Sequence, residues 1–83
     1  MVKFIIGRQL VNKKVITNDG FDVGRFLDAE INPLTGKINA FIIEPNPDSN
    51  LFSKMKVDAG QMKIPYNAIH AVNDYIVVDR KLI

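Results

Sequence analysis

Cysteine is absent from this chain of 83 residues, so it holds no disulfide framework and no thiolate metal site. That absence fits a cytosolic protein. Histidine is nearly absent: His70 stands alone, with only Asp74 near it and apolar residues around it. A catalytic or metal-binding histidine needs a nucleophile, an orienting acid or further ligands beside it, so His70 reads as structural or surface. Ser49 and Ser53 likewise have no base at hand. No GxGxxG or P-loop pattern occurs, and Gly20, Gly24 and Gly36 are spaced too widely to cradle a phosphate together. Long apolar runs are missing too. The run in MVKFIIGR ends at Gly7 and Arg8, too short for a signal sequence and far too short for a membrane span. These gaps exclude most catalytic chemistry. The expectation is a protein that is not an enzyme, uses no cofactor or metal, and does not insert directly into a membrane.

A strong charge of one sign is also lacking. With 11 basic and 9 acidic residues the net charge is +2, a value that serves solubility and is no nucleic-acid signature. Lys3, Arg8, Lys13 and Lys14 do precede any acid, and this basic cluster is the sole support for an RNA- or ribosome-associated role. Asp19, Asp22, Asp28 and Glu30 cluster in sequence, but their spacing misses the calcium loop of an EF-hand, which leaves turn and strand-surface duty.

What is present is a hydrophobic fraction of 47%, enough for one folded domain over 1–83. A core of that size is marginal against ordering entropy, a deficit that dimerisation would relieve. Residues 14–44 organise the chain as short strands joined by two tight turns. Asn18-Asp19-Gly20 makes the first, where Gly20 takes positive φ without steric cost. Pro33-Leu34-Thr35-Gly36 makes the second, Pro33 fixing φ at its start. Strict alternation fails over 26–31. Phe26 and Ala29 both face inward only if Leu27 or Asp28 is bulged, and Asp28 could then bond a backbone N–H freed there.

The segment 37–44 is apolar on both faces, Ile38, Ala40 and Ile42 on one and Phe41 and Ile43 on the other. A barrel strand with solvent outside alternates more cleanly. The surplus face therefore predicts an interface centred on Phe41 and Ile43, with Phe21 and Phe52 as secondary contacts. Residues 45–60 form an exposed variable loop, within which 51–57 is either one helical turn or an irregular stretch. Further strands are expected over 1–8, 13–17, 61–65 and 75–79. A helical or 3-10 turn begins at Pro65 and runs to 69, with Tyr66 and Ile69 as its core contacts, and 70–74 leads into another turn. The 9–12 stretch is a turn presenting Leu10 and Val11 to the core. The expected architecture is all-β, a small barrel of about six short strands with one short helical turn.

The pieces LVNKKV (10–15), DGFDVG (19–24), FLDAEI (26–31), NPLTGKI (32–38), IPY (64–66), IHAV (69–72) and YIVVD (75–79), in this order and spacing, resemble the PRC-barrel domain in its short archaeal single-domain form. That resemblance implies a small barrel of about six strands with no catalytic site. It makes Gly20, Gly24, Asp28, Gly36 and Pro65 determinants of the fold. Similar domains form the cytoplasmic part of the photosynthetic reaction-centre H subunit and the C-terminal domain of the ribosome maturation factor RimM. Archaeal stand-alone members look like adaptors that associate with SepF, the membrane anchor of FtsZ. This sequence shows neither a RimM-type partner domain nor an H-subunit helix. The resemblance thus favours a cytoplasmic adaptor, as a homodimer or a heterodimer with a related barrel, recruited to the division site by a SepF-like protein. The alternative is the RNA- or ribosome-associated accessory protein.

Overall fold

The computed structural model describes residues 11–83. The strand expected over 1–8, Leu10, and the basic residues Lys3 and Arg8 lie outside the described residues. Among the described residues six strands form one sheet: β1 (Lys14–Thr17), β2 (Asp22–Ile31), β3 (Ile38–Pro45), β4 (Met62–Pro65), β5 (Ile69–Val72) and β6 (Ile76–Val78). Their order is β4-β3-β2-β1-β6-β5, antiparallel throughout except for the parallel β1–β6 pair. Three 3-10 turns, Phe52–Lys54, Tyr66–Ala68 and Arg80–Leu82, complete the fold.

Local chemistry sets the two hairpins. In the β1–β2 turn Gly20 N donates to Thr17 O at 3.0 Å, with Gly20 at φ 92°. In the β2–β3 turn the Asn32 carboxamide oxygen accepts from Leu34 N at 2.8 Å, a side chain standing in for backbone, and Gly36 sits at φ 75°. Two bulges then curl β2. Phe26 faces Ile43 and Asp28 faces Ile42, so Leu27 is the extra residue, and Asp28 Oδ1 accepts from Ala29 N at 2.7 Å. This is the bulge that the broken alternation predicts, and it lets Ala29 pack against the same core as Phe26. A second bulge at Val23, between the pairs Val15–Gly24 and Ile16–Asp22, turns Val23 fully inward.

The core lies on one face of the sheet. Phe26 and Phe41 meet edge to face at 4.9 Å between ring centres, an arrangement matched to the ring quadrupoles. Val15, Val23, Ile43, Ile64, Ile76 and Val78 close around them.

Several expectations are corrected here. The sheet is not closed into a barrel: β4 and β5 are its two edges, and among the described residues no ladder joins them. The chain passes from one edge to the other through Pro65, which has no N–H to donate, and the Tyr66–Ala68 turn, whose Ala68 carbonyl is taken by Asp79 N at 2.7 Å. Residues 69–72 are a strand rather than an approach to a turn. The strand is only four residues long, and a bulge at His70 falls between the pairs Ile69–Val78 and Ala71–Val77. In the 3-10 turn Ala68, not Tyr66, fills the core; Tyr66 stays half exposed, its ring centre 6.0 Å from that of Phe41. Val11 points to solvent instead of the core.

The Phe41 and Ile43 interface fails on burial, at 1% and 0% exposure. Both belong to the chain's own core. The opposite face of β3 is roofed as well. Glu30 pairs with Ala40 and Lys63 with Ile42, and the Lys63–Glu30 ion pair at 3.0 Å reaches across β3 from one neighbouring strand to the other. Ala40 is only 4% exposed beneath that roof. The long aliphatic stem of Lys63 is suited to such cover.

Two substitutions test the backbone. A Cβ on Gly24 would lie 2.0 Å from the Glu44 carbonyl oxygen, so Gly24→Ala must push β3 off β2. Urea unfolding should show a loss of about 3 kcal/mol; a neutral result would mean that the strands are not in this close contact. At Asp58–Gln61 both central residues have positive φ, 52° at Ala59 and 79° at Gly60. Ala59→Gly should stabilise the protein by about 0.5 kcal/mol, because Ala is strained in that region.

Candidate interaction surface

The β1–β2 turn is built on one buried hydroxyl. Thr17 is 1% exposed, and its Oγ1 donates to Asp19 Oδ1 at 2.5 Å and accepts from Phe21 N at 2.9 Å. Asp19 is thereby aimed at the C-terminal turn, where its Oδ2 accepts from Arg80 Nη1 at 2.8 Å. Backbone bonds fix the same junction. Asn18 N donates to Val78 O at 2.8 Å, and Arg80 N donates to Asn18 Oδ1 at 3.1 Å. Asp79 caps the Arg80–Leu82 turn by accepting from Lys81 N at 3.0 Å.

Held in this way, the Arg80 guanidinium lies over the Phe21 ring, 4.9 Å from its centre. This is a cation–π contact at a partly exposed site. Phe21 remains 37% exposed and Leu82 49%. Arg80 also lines a small, mainly apolar cleft of about 100 Å³ with Leu51, Met55 and Ile83. Leu51 is buried, and Met55 and Ile83 pack against the core.

Of the four residues predicted to form an interface, Phe21 is at this surface. Phe52 is half-buried on the 3-10 turn immediately after the cleft residue Leu51 and does not itself line the cleft. Phe41 and Ile43 are in the core, as described above. Arg80, Leu82 and Ile83 lie beyond the last strand expected from the sequence, and no motif marks Arg80. Gly20 and Gly36 occupy the two hairpin turns, Gly24 the closest β2–β3 approach, Asp28 the Leu27 bulge and Pro65 the end of β4.

Of the N-terminal basic cluster only Lys13 and Lys14 are among the described residues. Lys13 Nζ is spent on Asn73 O at 2.7 Å. His70 is exposed, its Nε2 3.5 Å from Asp79 Oδ2. Among the described residues no group of three or more His, Cys, Asp or Glu is placed to hold a metal ion, and no helix is long and apolar enough to cross a membrane.

The Thr17 hydroxyl, and after it Arg80, hold the Asp19 carboxyl below its ordinary range. A carboxyl that titrates lower when folded than when unfolded stabilises the fold above the ordinary aspartate range, and loses that effect as pH falls through the lowered value. Acid titration followed by NMR should therefore show Phe21 and Arg80 signals moving together below that range, and Asp19→Asn should remove the step. Persistence of the step in Asp19→Asn would assign it to another carboxylate.

The PRC-barrel domain model matches residues 3–81. No curated protein matches the chain. With nearly its whole length inside that one match, this chain belongs to the PRC-barrel domain family, a non-catalytic family of protein-interaction domains.

Proposed function

We propose that the chain is a non-enzymatic adaptor that self-associates through the Phe21–Arg80 end of the sheet. The observation that carries this reading is an aromatic ring and an arginine stacked at the surface, beside an apolar cleft and the exposed Leu82. Aromatic and arginine side chains beside a pocket are the usual seat of binding energy between proteins. The small core supplies a second reason, since a dimer would bury surface that one copy leaves in water. Phe21 keeps its predicted interface role in this account, and Phe52 follows the cleft residue Leu51 in the chain. The centre moves from Phe41 and Ile43 to Arg80 and Leu82.

A homodimer would present two identical partner sites, which raises avidity for a polymeric or membrane-tethered partner. A SepF-like division anchor is the partner class that the family resemblance suggests, and it would draw a cytoplasmic adaptor to the division site.

Sedimentation equilibrium from micromolar to millimolar concentration tests the self-association. Phe21→Ala and Leu82→Glu should each weaken the dimer by about tenfold or more while leaving a folded protein. Leu34→Glu, at the β2–β3 turn where Leu34 is 94% exposed, should leave it unchanged. A chain that stays monomeric throughout, or a dimer indifferent to both substitutions, would overturn the proposal.

A further inference from the structure

We infer that the outward side of β1–β2–β3 holds a second binding site, for an acidic side chain carried on an extended segment of a protein partner. The inference rests on the interaction role proposed above but uses a different surface. Lys14 and Arg25 stand directly opposite each other in the β1–β2 ladder, and Arg25 stands opposite Glu44 in the β2–β3 ladder. Like charges placed directly opposite across strands are destabilising. The fold nevertheless keeps this pair, and among the described residues neither cation is in an ion pair: those pairs are Lys63–Glu30, Arg80–Asp19 and His70–Asp79. Arg25 Nη1 reaches only the Asn12 carbonyl, at 3.5 Å.

The nearest carboxylates leave the cations unsatisfied. Asp22 Oδ2 is committed to Asn46 Nδ2 at 2.5 Å, and its Oδ1 is buried without a hydrogen-bond partner. Glu44 is exposed and makes no ion pair with Arg25. These four charged residues line an open groove of about 500 Å³, walled on one side by Pro45 and Pro47. Two cations on adjacent strands can hold one carboxylate between them, the Arg25 fork taking it in two hydrogen bonds. Asp22 and Glu44 cancel the groove's net charge, so a dense polyanion gains no net attraction there and meets the two carboxylates, whereas a single carboxylate flanked by neutral or basic groups can sit between the cations. A polypeptide supplies that pattern and a nucleic acid backbone does not.

The probe is an acetylated octapeptide of alternating Glu and Lys, titrated into the full chain and followed by NMR, with an oligouridylate RNA of similar length as comparison. Shift changes should centre on Lys14, Arg25 and Glu44. Lys14→Gln and Arg25→Gln should each weaken binding by about fivefold or more, and added salt should weaken it further. Glu44→Gln should tighten the binding of an all-Glu peptide by several-fold, an effect that a merely structural Glu44 would not produce. Absence of shifts at these residues, equal binding by the Lys14 and Arg25 variants, or tighter binding of the RNA at the same residues would each overturn the inference. The two proposals separate cleanly. A dimer that forms through Phe21 while the peptide fails to bind removes only this one, and peptide binding by a persistent monomer removes only the other.

Discussion

One joint holds the two halves of this molecule together: the parallel pairing of β1 with β6, Val15 to Ile76 and Thr17 to Val78. On one side of it lie β2, β3 and β4, and on the other β5 alone. Parallel pairing between segments this far apart in sequence costs loop-closure entropy before it returns any contact. The return comes from Val15, Thr17, Ile76 and Val78, all fully buried or nearly so along the joint. The candidate surface depends on the same joint. Asn18 follows β1 and Asp79 and Arg80 follow β6, so parallel strands deliver their C-terminal ends to one place. Antiparallel strands would have set Phe21 and Arg80 at opposite ends.

That geometry accounts for the position of the exposed aromatic ring. Thr17 closes the turn from inside, Asp19 transmits its orientation to Arg80, and Arg80 covers one face of Phe21 while leaving part of the ring in water. Both the turn and the tail are needed. The charged groove on the outward side of β1–β2–β3 arises differently, from register alone, which sets Lys14, Arg25 and Glu44 in one row across three strands. One surface is apolar with an aromatic centre and the other is polar with mixed charge. An adaptor of the kind proposed, holding itself and a partner at once, would have use for two such unlike surfaces.

Much of this was legible in sequence wherever the cause was local. The two hairpin turns follow from Asn18-Asp19-Gly20 and from the segment around Pro33 and Gly36, because their backbone requirements are set within a few residues. The Leu27 bulge follows from a break in alternation that only an extra residue repairs. The failures were non-local. Phe41 and Ile43 looked like surplus because a strand apolar on both faces seems to need outside cover. Phe41 and Ile43 are covered by the chain's own core, and the opposite face by Glu30 and Lys63, whose meeting across β3 no local pattern announces. Closure into a barrel was inferred from the number and spacing of strands, yet whether two edges meet is decided by the segment between them, here Pro65 and a 3-10 turn. β5 escaped notice because it is only four residues long and runs straight into the Asn73-Asp74 turn. Arg80 carried no signal at all, since its role exists only once β1 and β6 lie side by side.

The central claim is that the Phe21–Arg80 end of the sheet is where two copies meet. The absence of cysteine permits a direct measurement. Lys81→Cys can be spin-labelled as the only thiol and mixed in equal amount with isotope-labelled, unlabelled-thiol-free protein, so that any paramagnetic broadening is intermolecular. The account predicts broadening at residues 18–21 and 80–83, with the β2–β3 turn around Leu34 unaffected. Broadening confined to the Leu34 turn or to the edges β4 and β5, or none at millimolar concentration, would contradict it.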